Sequence, residues 1–269
     1  MHRLVLFDID CTLIDAHGAG GRAIFQAMKD VYGLQGELGG YSFHGRTDPG
    51  IVRDLATLWG SAEREAAGEG GGEDTQPEAV AAVAGRLGYP SETVDELLPA
   101  CLTRYVELLR DEVEDGVVEV LPGIAELVQA LAADRLVTVG LLTGNVEEGA
   151  RIKLAPTGLW PLFAVGAFGS DSAHRPDLPA VAVSRAERLT RAAFVGKDIV
   201  IVGDTPADIQ CGEHLGVSAV AVATGRYTRD ELAVHIPDHL FDDFSDWRGA
   251  YHVMAGEGET ADARPLTEN

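Results

Sequence analysis

Five short runs constrain the fold most strongly: Arg3–Ile9, Leu136–Leu142, Ala164–Phe168, Asp198–Val202 and Ser218–Ala223. All but the third are continuously apolar rather than alternating, the pattern of strands covered on both faces. Between the later runs lie segments with helical spacing. Ile124, Leu127, Val128 and Leu131 share one face, and Ile209 with Leu215 another. Thr205 fits an N-cap, with Pro206 in the first turn behind it. Strand and helix alternate from about residue 117 onward, which predicts an α/β fold on a doubly wound parallel sheet.

Residues 16–116 follow a different rule. Ile24, Met28, Val31 and Tyr32 line one helix face, Ile51, Leu55, Leu58 and Trp59 a second, and Leu98, Cys101, Leu102, Tyr105 and Leu109 a third. No strand pattern interrupts them. The expected organisation is a sheet domain from 1–15 and 117–256 with an all-helical insert at 16–116. Within the insert, the glycine-rich acidic stretch Ala67–Pro77 reads as a mobile loop, and 257–269 as a disordered tail. His17 and Gly18–Gly21 read as a hinge or an irregular linker into the insert.

Net charge is −22, from 43 acidic against 21 basic residues, and only Lys29, Lys153 and Lys197 are lysines. Such a surface repels nucleic acid and anionic membranes, so neither is an expected partner. It suits a salt-rich cytoplasm, where screening relieves self-repulsion; stability indifferent to salt up to molar concentration would refute that. No apolar run nears the ~20 residues of a bilayer span, and Leu4–Phe7 is too short for a signal peptide. Cytoplasmic residence is the default. Cys11, Cys101 and Cys211 have no CxxC spacing and read as reduced thiols. Nothing in the sequence sets an oligomeric state.

Four segments carry chemistry, and three of them begin where an apolar strand stops. In LVLFDIDCTLID, Asp8 and Asp10 leave a hydrophobic strand at i and i+2. That placement is costly unless a cation or a proton transfer uses it; one carboxylate can attack while the other handles protons. In VGLLTGN, Thr143 offers a hydroxyl, Gly144 a bare amide and Asn145 a side-chain donor, a set suited to anionic oxygens. Lys153 follows about two helical turns later. In IVIVGDTPAD, Asp204 and Asp208 flank a helix start. Together these meet the needs of phosphoryl transfer to a carboxylate. Carboxylates without His/Cys spacing favour Mg²⁺ over zinc.

DIDCT, TGN, Lys153 and GDTPAD, in this order and spacing, resemble the haloacid-dehalogenase-like (HAD) hydrolase superfamily over residues 3 to about 244. The insert resembles the helical cap of its phosphoglycolate phosphatase and β-phosphoglucomutase branch. The resemblance implies a Rossmann-like core and a Mg²⁺-dependent phosphatase acting on a small phosphorylated metabolite. In it Asp8 is transiently phosphorylated, and Asp10 protonates the leaving group and then activates water. Thr143 and Lys153 steady the phosphoryl group. Asp8, the Asp10 carbonyl and Asp204 hold Mg²⁺, with Asp208 in support.

This chain departs from the family pattern in two places. Cys11 replaces the glycine of DxDGT. Arg175–Pro176 stands where many relatives have Lys-Pro; because a guanidinium moves no proton, Lys153 is the favoured phosphate-binding cation. Arg46, in FHGRTD, is a candidate for a distal anionic group on the substrate, with pairing to Asp48 as the alternative. A phosphosugar mutase and a regulatory phospho-acceptor domain are the competing functions; the long insert after the first strand argues against the second.

Overall fold

The computed structural model describes residues 2–33, 41–56 and 93–256. Six strands form one parallel sheet: β1 (Arg3–Phe7), β4 (Val137–Leu142), β5 (Val165–Ala167), β6 (Ile199–Gly203), β7 (Ser218–Val222) and β8 (His239–Phe241). A separate two-stranded antiparallel ribbon pairs β2 (Ile14–Asp15) with β3 (Glu119–Val120). The sheet order is β5-β4-β1-β6-β7-β8, so β1 lies between β4 and β6. Leu4 pairs with Thr138 on one side and Ile199 on the other.

That central place explains the unbroken apolar run. Leu4, Val5, Leu6 and Phe7 are all fully buried, each contributing roughly 1.5–3 kcal/mol of burial. Val5 and Phe7 face one cluster with Ile124, Leu127 and Val128, while Leu4 and Leu6 face another with Leu178, Ala182 and Phe194. Helices therefore cover both sheet faces, as continuous hydrophobic strands require.

The helices are α1 (Ala19–Tyr32), α2 (described over 48–56), α3 (Thr93–Asp115), α4 (Ile124–Ala133), α5 (Glu147–Leu154), α6 (Leu178–Thr190), α7 (Pro206–Cys211), α8 (Arg229–Ala233) and α9 (Trp247–Ala255). The first three form the helical cap. Ile24, Met28 and Tyr32 of α1 pack with Ile51 and Leu55 of α2 and with Cys101, Tyr105 and Leu109 of α3. Val146 and Ile152 join the same cluster from the sheet side. Leu58 and Trp59 lie outside the described residues, as do the stretch 67–77 and the tail 257–269. Among the described residues no helix is long and apolar enough to cross a membrane. All three cysteines are free.

Several local expectations needed correction. β1 stops at Phe7, two residues early, because the chain turns at Asp8 and brings Ile9 into the core. Ile209 and Leu215 do not share a helix: α7 ends at Cys211, and Leu215 sits in a separate 3₁₀ turn facing another cluster. Gly20 and Gly21 are not linker residues but the first turn of α1. β8 had no continuous apolar signal because it is a three-residue edge strand, partly exposed.

Candidate active site

The strand order reverses its direction of winding at β1, and in such sheets the carboxyl ends of the strands flanking that point open a crevice. Asp8 follows β1, Thr143 follows β4 and Asp204 follows β6, each by one residue. All three are buried. They line one cavity of about 230 Å³, together with Asp10, Cys11, Gly144, Asn145, Lys153 and Arg175.

Asp8, Asp204 and Asp208 each present a carboxylate oxygen within 4.8 Å of the others. Arg175, buried like them, pairs with Asp208 and lies 3.5 Å from Asp8 Oδ1. Burial pushes the Asp8 carboxyl up to about 6 despite Arg175, with Asp208 and Asp10 adding to the rise. Burial, then Asp208 and Asp8, lift Asp204 well above the carboxylate range. Thr12 Oγ1 donates to Asp204 Oδ1 at 3.3 Å, but Asp204 Oδ2 is buried without a partner. An unpaired oxygen inside a cluster of hard oxygen donors is what a divalent cation such as Mg²⁺ would satisfy.

Asp208 is occupied differently. Its Oδ2 accepts from the Thr205 amide at 3.0 Å and the Thr205 hydroxyl at 2.6 Å, and Thr205 in turn caps α7. Its Oδ1 faces Arg175. The two oxygens thus fix the helix start and the guanidinium, which sets Asp208 apart from Asp204 among the metal candidates.

Opposite lies a charge-balanced group. Lys153 Nζ donates to Asp10 Oδ1 at 2.9 Å, Asp10 Oδ2 at 2.6 Å and Asn145 Oδ1 at 2.7 Å. Asn145 Nδ2 donates to Asp10 Oδ2 at 2.8 Å and to Thr143 Oγ1 at 2.9 Å. Burial raises the Asp10 carboxyl, but the Lys153 charge and the Asn145 and Lys153 hydrogen bonds outweigh it and hold it below its ordinary value. Burial lowers Lys153, and Asp10 then Asp48 more than reverse this. The ammonium reaches Asp10 because Gly20 of α1 leaves room; a Cβ there would stand 3.0 Å from Nζ.

The structure therefore puts both cations in the cavity on separate carboxylates: Lys153 on Asp10, Arg175 on Asp8 and Asp208. Arg46 does not pair with Asp48. It pairs at the surface with Asp54 and lies over the Tyr41 ring, and it is one of the residues that line the cavity. Asp48 is instead buried and lines the cavity, accepting from the Val146 amide at 2.8 Å. Cys11 takes a left-handed backbone with φ 58°, the conformation glycine adopts freely. Burial and the surrounding carboxylates push its thiol up to about 12, so it is no nucleophile.

Sequence reasoning missed Asp48, Tyr105 and His44 as site residues. The helical spacing of Tyr105 marks it as core, and its ring is core; only its hydroxyl reaches the site, buried beside Asp48. His44 lines the cavity, its imidazole lowered by burial and by Arg226. A usable signal lay in FHGRTD: its Thr-Asp-Pro continuation marks a helix start, where a buried aspartate is unusual.

The HAD-hydrolase-like family model matches residues 179–247. The chain is 28% identical over 263 residues to the probable phosphatase IndB of Dickeya dadantii, covering 94% of this chain and 95% of the relative. It is 25% identical over 253 residues to a phosphoglycolate phosphatase of Salmonella typhi, covering 91% and 90%. Its fold is similar to that of CbbY from Rhodobacter sphaeroides, solved in complex with phosphate, with a TM-score of 0.58 at 19% identity over 91% and 96% of the two chains. Sheet order, motif geometry and these likenesses agree, and the chain is similar to haloacid-dehalogenase-like hydrolases of the phosphatase kind.

Proposed function

We propose that the chain hydrolyses a small phosphate monoester, with Mg²⁺, through a phosphorylated Asp8. The carrying observation is the buried Asp8 carboxylate, which lines the cavity beside Arg175 and the Asp204 and Asp208 oxygens, with Asp10 and Lys153 lining the same cavity. Asp8 and Asp204 would hold the ion, with the Asp10 carbonyl and Asp208 in support. When bound, Mg²⁺ supplies positive charge that offsets phosphoryl and carboxylate oxygens.

An Asp8 oxygen attacks phosphorus as the ester P–O bond breaks, and Asp10 gives its proton to the departing alkoxide. Asp10 then takes a proton from water, whose oxygen attacks the same phosphorus; inorganic phosphate leaves and Asp8 is restored. Lys153 governs the Asp10 proton. All three of its hydrogen bonds are with Asp10 and Asn145. A phosphoryl oxygen that draws Nζ away weakens the restraint on Asp10, and burial then favours its protonated form. Thr143, Gly144 and Asn145 donate to the phosphoryl oxygens, and the cap excludes bulk water. Cytoplasmic residence and the absence of nucleic-acid partners remain part of this reading.

A panel of small phosphate esters, phosphoglycolate included because of the Salmonella typhi relative, tests it with Mg²⁺ and with chelator. Wild type should turn over only with metal, and Asp8→Asn and Asp10→Asn should be inactive. Full activity in Asp8→Asn, or activity in excess chelator, would overturn the mechanism.

A further inference from the structure

We infer that Asp48, a cap residue, is a positioning residue for the Thr143–Gly144–Asn145 turn and so couples cap docking to phosphoryl transfer. The inference rests on the phosphatase reading. Two bonds make the connection: the Asp48 amide donates to Gly144 O at 2.8 Å, and Asp48 Oδ2 accepts from the Val146 amide at 2.8 Å. One cap residue thus grips the turn on both sides of Asn145. Val146 is the N-cap of α5 and carries no side-chain cap of its own, so the aspartate satisfies an amide at the helix start.

The approach is too close to be incidental surface contact. A Cβ on Gly144 would run into the Arg46 carbonyl, and a Cβ on Gly45, whose φ is +74°, would stand 2.7 Å from the Ala207 Cβ. The cap segment 45–48 therefore lies directly on the turns after β4 and β6. Thr47 adds a second hold: its hydroxyl accepts from the Gly50 amide at the start of α2 and donates to Ala173 O at 2.7 Å, two residues before Arg175. Asp48 is buried, next to the hydroxyl of Tyr105 from α3. Helices α2 and α3 thereby converge on the turn that carries Asn145, and Asn145 in turn sets Lys153 and Asp10.

A carboxylate that places donors without touching substrate should act on kcat more than on KM. With p-nitrophenyl phosphate and Mg²⁺, Asp48→Ala should lower kcat about a hundredfold and change KM less than about threefold. Asp48→Asn keeps an oxygen that can accept from Val146 and should stay within about tenfold of wild type. Amide hydrogen exchange of the full chain supplies a readout independent of turnover. Val146 should lose protection in Asp48→Ala and regain it in Asp48→Asn, while the amides of β1 stay protected in both. A rise in KM alone, failure of Asn to rescue, or unchanged exchange at Val146 would overturn the inference. Should wild type hydrolyse no ester, the phosphatase reading fails, and the exchange comparison still decides whether Asp48 holds the turn.

Discussion

The two walls of the cavity solve the same electrostatic problem in opposite ways. On one side Asp10 meets Lys153 and Asn145, and its carboxyl is held below the ordinary range. On the other, Asp8, Asp204 and Asp208 share Arg175, Asp8 is pushed up to about 6 and Asp204 keeps a buried oxygen without a partner. One wall is complete as protein; the other is short of positive charge. The difference locates where a cation belongs and separates the tasks of the two basic residues more sharply than their spacing does.

Removing each cation should break the comparison most visibly. Arg175→Met leaves three neighbouring carboxylates without their guanidinium and should lower kcat about a thousandfold. Lys153→Met should cost about a hundredfold and also move the acid limb of the pH–rate profile upward, because the Lys153 charge no longer holds the Asp10 carboxyl down. An unshifted limb would mean that Lys153 does not set the Asp10 proton. Gly144→Ala, which drives a Cβ into the Arg46 carbonyl, should part cap from core and lower kcat roughly tenfold to a hundredfold. Measuring it alongside Asp48→Ala shows whether the two act through the same contact.

Acidity provides a milder test. A carboxyl whose folded pKa is raised is favoured protonated in the fold, so its contribution falls as pH climbs from its ordinary 3.8 toward about 6 for Asp8. A cation that binds the folded state opposes this loss. The difference in melting temperature between Mg²⁺ and chelator should be near zero at pH 4 and widen through pH 6 by about 5 °C. A constant difference would place the ion elsewhere. The smallest effect belongs to Cys11→Gly. Relief of the left-handed cysteine is partly cancelled by the greater freedom of glycine when unfolded, leaving at most about 1 kcal/mol of stabilisation, measurable by urea denaturation.

The sheet was legible because β1, β4, β6 and β7 are buried on both faces and hydrophobicity alone writes that pattern. Carboxylates at the ends of such strands are equally plain, since nothing else explains Asp8 or Asp204 there. What stayed hidden depends on contacts between distant segments. Asp48 lies ninety-eight residues from its Val146 partner, and the Thr-Asp-Pro helix start around it does not show which amide it reaches. The division of labour between Lys153 and Arg175 was out of reach for the same reason. Both are cations at plausible distances, and only the folded contacts of Lys153 Nζ with Asp10 and of Arg175 with Asp8 and Asp208 divide the carboxylates between them.

The ribbon of β2 and β3 has a mechanical consequence. The chain leaves the sheet for the cap at Ile14–Asp15 and returns at Glu119–Val120, and these two crossings are hydrogen-bonded to each other, with Leu121 N also bonded to Leu13 O at 3.0 Å. Two independent tethers would let the helices slide and twist against the sheet. A two-stranded strap resists shear along its length and yields mainly by bending, so any movement of the cap would be confined to a swing about a single line. Such a constraint would return Thr47 and Asp48 to the same place.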